Sequence, residues 1–79
     1  MNRPLYVIGT EIKALWGAKL NYGAKPYVDA MCTLTNIEDN YFADSAKSIV
    51  LYFLANAATW RGDDAKRVKT ELKQMVGLK

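Results

Sequence analysis

Histidine is absent from this chain of 79 residues, and cysteine occurs once, at Cys32. One cysteine cannot form an internal disulfide, and a single thiol without histidine cannot supply the four ligands of a structural zinc site. Without histidine the most common general base is missing, and Cys32 has no imidazole partner to form its thiolate. We therefore expect a reduced, cytoplasmic protein that holds no metal or cofactor and is not an enzyme.

Long apolar runs are also absent. The longest stretch without a charge, residues 48–60, is shorter than the roughly 20 apolar residues that cross a bilayer. The N-terminal segment carries Glu11 and Lys13 where a secretory signal needs an unbroken apolar core. These features predict no association with a membrane, and the chain length predicts a single helical domain over residues 1–79.

What the chain does contain is apolar periodicity of the helical kind. Apolar residues recur three and four positions apart after Pro4 and again after Pro26, and proline is favoured in the first turn of a helix. Helices are therefore predicted at 4–17 and 26–35, although residues 4–9 also permit a short strand. The predicted inward faces are Leu5, Ile8, Ile12 and Leu15 in the first helix and Tyr27, Ala30, Met31 and Leu34 in the second.

Two further helices are predicted in the second half of the chain. One spans 44–60 and can be capped by Asp44 or Ser45, whose side chains accept hydrogen bonds from the free amides of a first turn. The other spans 64–76, after Gly62, which suits a left-handed position, and Asp63, which suits a cap. Their predicted inward faces are Ala46, Ile49, Val50, Phe53, Leu54, Ala57 and Trp60, then Ala65, Val68, Leu72, Met75 and Val76. The sequence thus predicts an all-α fold, a compact bundle of about four helices joined by short loops.

The third predicted helix is apolar on nearly every side. A surface helix needs one apolar stripe, so the additional apolar residues are either enclosed by neighbouring helices or form a contact with a partner. The first interpretation makes this the central helix of the bundle. The second makes it a protein interface, whose candidate residues are Leu51, Tyr52, Ala55, Ala58 and Trp60. Trp60 has an alternative role, because aromatic residues also fill the core of a domain that is short of volume.

A homodimer is the expectation that follows from the second interpretation. A single core of this size rarely supplies more than about 3–5 kcal/mol, and neither a disulfide nor a metal adds to it. Yet 51% of the residues are hydrophobic. A two-fold contact through the third helix would cover the surplus, because the same patch then meets its own copy.

Positive charge is concentrated on the fourth predicted helix. The chain has a net charge of +3, and Lys66, Lys69 and Lys73 recur at spacings that form one stripe about 10 Å long. Together with Arg61 and Arg67, this stripe is a candidate for contacts with the phosphates of nucleic acid. The alternative is a solvated helix face whose lysines complement the helix dipole.

The spacing around Gly62 partly resembles a helix-turn-helix motif, which would direct Lys66, Arg67, Lys69 and Thr70 to a major groove. The resemblance is incomplete, because Asp63 stands where the motif has an apolar residue, and an antiparallel helix pair explains the turn equally well.

Two functional hypotheses follow. The first is a small, non-enzymatic protein-interaction module that self-associates through its apolar helix and has an unidentified protein partner. The alternative is a nucleic-acid-binding accessory protein that uses the basic C-terminal helix. They differ in their response to salt, because phosphate contacts weaken steeply as the salt concentration rises.

Overall fold

The computed structural model describes residues 3–17, 20, 22–41 and 44–77. These residues contain the four α-helices α1 (Leu5–Trp16), α2 (Lys25–Met31), α3 (Ala46–Ala55) and α4 (Asp63–Met75). Two short strands, β1 (Asn40–Tyr41) and β2 (Asp44–Ser45), pair antiparallel just before α3. The predicted all-α fold is confirmed, with the small ribbon as an addition that no apolar alternation had indicated. Among the described residues, no helix has the length and hydropathy that a membrane span requires.

Helix α1 includes residues 5–9, part of the segment for which the sequence permitted either a helix or a short strand. The amide of Leu5 donates to the carbonyl of Thr35 at 2.9 Å, and the amide of Tyr6 donates to the carbonyl of Leu34 at 2.8 Å. Amides of a first turn have no partner inside their own helix, so these bonds satisfy them and tie α1 to the segment after α2. The prediction of a helix at 4–17 is confirmed to within one residue at each end.

The buried face of α1 differs from the prediction in its last turn. Leu5, Ile8 and Ile12 are fully buried as predicted, but Leu15 is 42% exposed. Trp16 takes the inward position instead, because it continues the four-residue spacing of Ile8 and Ile12.

Helices α1 and α2 approach closely at Gly9, which is buried. A Cβ atom added there would lie 2.9 Å from Sγ of Cys32, 3.2 Å from the Cys32 backbone nitrogen and 3.3 Å from Cβ of Met31. Such distances are tighter than ordinary van der Waals contact, so the approach favours a residue without a side chain. This contact explains a glycine in the middle of a helix.

Helix α2 is shorter than predicted and ends at Met31 rather than at residue 35. The amides of Thr33 and Leu34 donate to the carbonyls of Ala30 and Met31, which forms tight turns after the helix. Leu34 is nevertheless buried, so its inward position is confirmed outside the helix. Tyr27, by contrast, is only partly buried.

Helix α3 has one of the two predicted caps, but it begins at Ala46 rather than at residue 44 and ends earlier than predicted. The hydroxyl of Ser45 accepts a hydrogen bond from the amide of Ser48 at 3.1 Å, which confirms Ser45 as the cap. The side-chain amide of Asn56 donates to the carbonyl of Tyr52 at 2.8 Å. Such local side-chain bonds compete with helix continuation, and the predicted helix is wrong over residues 56–60.

The apolar residues after α3 still enter the core. Ala57 and Trp60 are buried although they lie in the turn between α3 and α4. The ring of Trp60 stacks on that of Trp16, with centroids 5.3 Å apart and planes 8° from parallel. Phe53 meets both tryptophans edge-on, at 6.3 and 6.4 Å. This aromatic cluster anchors the end of α1 to the turn that precedes α4.

Helix α4 begins one residue earlier than predicted. Gly62 has a φ of 112°, a conformation that favours glycine, and it occupies the N-cap position. Asp63 is therefore the first helical residue and not the cap, and with Asp64 it places negative charge in the first turn, where the helix dipole favours it. The buried residues of this helix and its C-cap are Ala65, Val68, Leu72 and Val76.

An ion-pair network joins the start of α1 to α4. Arg3 contacts Glu71 at 2.7 Å and Glu11 at 2.8 Å, and Arg67 contacts Glu11 at 3.1 Å. Hydrogen bonding from Arg3 lowers the pKa of Glu71. Hydrogen bonding from Arg67, and then from Arg3, lowers the pKa of Glu11. Helical spacing alone would pair Arg67 with Glu71, but each has its closest partner outside α4.

Candidate nucleic-acid interface

An open depression of about 540 Å³ runs along one side of α4 and the turn before it. Its lining residues are Trp60, Arg61, Gly62, Asp63, Lys66, Lys69, Thr70 and Lys73. We call it the basic groove, because four of these residues are cationic and one is acidic.

The helical repeat of α4 places the three lysines of the groove. Lys66, Lys69 and Lys73 are three and four residues apart, so they share one face and span about 10 Å along the helix axis. Lys69 lies nearest to the buried face of α4 and is partly buried, whereas Lys66 and Lys73 are exposed. Lys66 and Lys73 are therefore accessible to solvent or to a ligand.

Lys69 connects the two walls of the groove. Its ammonium group donates a hydrogen bond to the backbone carbonyl of Trp60, nine residues earlier. Burial lowers the pKa of Lys69, and repulsion from Lys73 and Arg61 lowers it further. These three cations therefore repel one another across the groove, and a bound anion would relieve that repulsion.

The groove carries as much net charge as the whole chain. The ion pairs among the described residues use Arg3, Lys13 and Arg67 as cations, and none of them involves a cation of the groove. The groove carries four cations and the carboxylate of Asp63, a net charge of +3. The chain has 11 basic and 8 acidic residues, so the remaining seven basic and seven acidic residues cancel.

Arg67 does not belong to the groove, although the sequence placed it beside the lysine stripe. Helical rotation carries it away from that row, and its guanidinium contacts the carboxylates of Glu11 at 3.1 Å and Asp64 at 3.5 Å. The spacing of residues along α4 could not predict that Arg67 pairs with Glu11 on α1. The other four residues of the predicted site do line the groove: Arg61, Lys66, Lys69 and Lys73.

The geometry around Gly62 is not that of a helix-turn-helix. That motif joins its helices by three or four residues, whereas residues 56–62 separate α3 from α4. In addition, Lys66 and Lys69 line a depression while Arg67 is paired elsewhere, so these side chains do not form one projecting surface. The partial resemblance in sequence spacing is therefore not matched by the structure.

The chain has no match among protein-family models, curated proteins or solved structures. Its function is therefore inferred from the chemistry of the groove. Lysine, arginine and hydroxyl side chains are the groups that contact phosphate oxygens in complexes with nucleic acid. The groove offers four such cations and the hydroxyl of Thr70.

The structure divides the residues of the predicted protein interface. Tyr52 is 48% exposed and Ala55 is exposed on α3, while Leu51 is partly buried. Ala58 is exposed as well, but it lies in the turn after α3 and not on the helix face where it was predicted. Trp60 is 6% exposed and stacks within the core, which favours its alternative role as a core residue.

The sequence did not predict that the turn between α3 and α4 contributes to the groove. Trp60 supplies the carbonyl that holds Lys69, and Gly62 has the positive φ that leads the chain into α4. Gly62 was the available signal for a turn. No local sequence pattern predicts that the chain returns to bring Trp60 against Lys69, because this contact depends on where α3 ends, at Ala55.

Proposed function

We propose that this protein binds nucleic acid through the basic groove, by contacts with the phosphate backbone. The observation that carries the proposal is the grouping of four cations with a single carboxylate in one depression, a local net charge of +3. A row of closely spaced cations gains affinity for nucleic acid because each neutralised phosphate releases condensed counterions. This was the second hypothesis from the sequence, and the grouping of four cations in one depression makes it the first.

The proposed role is binding without catalysis. The groove contains neither histidine nor cysteine, and Asp63 is its one carboxylate, so its side chains suit charge recognition better than proton transfer. The proposed location is the cytoplasm, because Cys32 is a free thiol and a reducing compartment keeps such a thiol in that form.

Two matched double variants test the proposal. Lys66→Gln/Lys73→Gln removes two cations of the groove, and Lys25→Gln/Lys47→Gln removes two exposed lysines outside it, so both lower the net charge by the same amount. Binding is measured by fluorescence anisotropy with a labelled DNA duplex of about 20 base pairs at about 50 mM salt. Loss of two phosphate contacts should weaken the groove variant on the order of 100-fold, and the control variant much less.

The contradicting outcomes are equally direct. Equal weakening of both variants would show that overall charge, and not the groove, sets the affinity. Absence of binding by the unaltered protein at low salt would remove the proposal.

A protein interface on α3 is the second candidate function. The ring of Tyr52 is half-exposed and meets that of Tyr27 at 5.4 Å, and Ala55 is exposed one turn beyond Leu51. A small residue in an apolar patch lets a second helix approach closely. We propose a second copy of this chain as the partner, in a two-fold homodimer.

Sedimentation equilibrium tests the homodimer. The expected mass is twice the chain mass of 8.9 kDa, and Ala55→Glu should give monomers because an unpaired charge in a dry contact is costly. Ala14→Glu, at an exposed position of α1, is the matched control and should leave the mass doubled. A mass of one chain across micromolar concentrations would exclude the homodimer.

A further inference from the structure

The basic groove offers no ring on which a base could stack. Trp60 is the one aromatic among its lining residues, and its side chain is 6% exposed. Its ring is stacked on Trp16 and has Phe53 at an edge-on angle. Proteins that bind single strands combine a basic groove with accessible aromatic rings, and stacked bases supply a large part of their affinity. A single strand in this groove would gain phosphate contacts alone.

The cations surround an open depression on one side of α4. Reading bases in a duplex requires side chains that reach into the grooves of the nucleic acid. Here Lys66, Lys69 and Lys73 line an open depression of about 540 Å³. The convex part of a nucleic acid is its sugar–phosphate backbone, and that part fits a concavity.

Charge density favours two strands over one. A duplex carries one phosphate charge per about 1.7 Å of its axis, because both strands contribute. This dense charge condenses more counterions, so each phosphate that a cation neutralises releases about 0.9 of an ion from a duplex and about 0.7 from a single strand. The cations of the groove therefore gain more from a duplex at low salt.

We infer that the basic groove selects the sugar–phosphate ridge of a nucleic-acid duplex over a single strand, without regard to base sequence. The inference rests on the proposed function, because it names the kind of nucleic acid that the same groove binds. A regular phosphate ridge exists in both DNA and RNA duplexes, and the experiment includes both.

The test compares five labelled probes of equal length: two DNA duplexes of unrelated sequence, one RNA duplex, and single strands of thymidine and uridine. With four phosphate contacts, affinity changes with salt with exponents of about −0.9 per contact for a duplex and −0.7 for a single strand. If both probes bind equally at 1 M salt, the expected preference for a duplex is about tenfold at 50 mM salt and about fourfold at 200 mM. The two DNA duplexes should bind equally, and comparison with the RNA duplex identifies the source of the ridge.

The matched variants locate the preference. Lys66→Gln/Lys73→Gln should reduce it to about threefold at 50 mM salt, whereas Lys25→Gln/Lys47→Gln should leave it unchanged. A single strand that binds as tightly as a duplex overturns the inference and leaves the proposed function standing. A tenfold difference between the two DNA duplexes overturns the independence from sequence. Absence of binding to all five probes overturns the inference and the proposed function together.

Discussion

Replacement of Gly9 by alanine should destabilise the fold, even though alanine is the better helix former. Alanine is favoured over glycine in a helix by about 1 kcal/mol. The added Cβ would lie 2.9 Å from Sγ of Cys32 and 3.2 Å from the Cys32 backbone nitrogen. The thiol can rotate away, but the backbone can move only if α1 and α2 separate. Overpacking of this kind costs about 1–3 kcal/mol, so we expect a net loss of about 1 kcal/mol.

Urea unfolding followed by far-ultraviolet circular dichroism measures this loss. In a domain of this size, 1 kcal/mol also lowers the melting temperature by roughly 4–8 °C. The control is the same substitution in a Cys32→Ala background, where the Sγ contact is absent but the backbone contact remains, so most of the loss should persist. If Gly9→Ala instead stabilised the protein by its full helix propensity, the close approach of α1 and α2 would be refuted.

Two further predictions concern stability. Glu71→Gln should lower the free energy of unfolding at pH 7 by about 1–2 kcal/mol, because Arg3 loses a partly buried charged partner. Since the pKa values of Glu71 and Glu11 are lowered in the fold, their contribution is complete above the unfolded value of about 4.3 and is lost as the pH falls through the folded values. Urea titrations should therefore show the variant and the unaltered protein converging below about pH 4, and a difference that persists in acid would contradict the charge assignment. Ser45→Ala should cost about 1 kcal/mol in the same assay through loss of the α3 cap, and no change would show that the cap bond to Ser48 is unimportant.

Local chemistry in the sequence was enough to locate the helices. Pro4 and Ser45 lie at helix starts because their preferences act within one turn of the chain. The ends at Met31 and Ala55 were not predictable in the same way, because apolar periodicity continues past both residues. Leu34 and Trp60 are buried although they lie beyond the ends of their helices. The apolar periodicity therefore predicted the burial of these two residues correctly and their helical conformation wrongly.

The candidate site was predictable where it depends on one helix. The spacing of Lys66, Lys69 and Lys73 requires only the helical repeat of α4. The departure of Arg67 depends on Glu11, which is 56 residues away in the chain, and the position of Arg61 depends on the turn between α3 and α4. Contacts between distant segments leave no periodic trace in a single sequence.

The salt dependence of duplex binding tests the central claim most directly. With four cations of the groove on phosphates, a plot of log affinity against log salt should have a slope near −3.6 for the unaltered protein. The slope should become shallower by about 1.8 in Lys66→Gln/Lys73→Gln and remain near −3.6 in Lys25→Gln/Lys47→Gln. A slope near zero, or one that changes equally in both double variants, would contradict a phosphate-binding groove on α4.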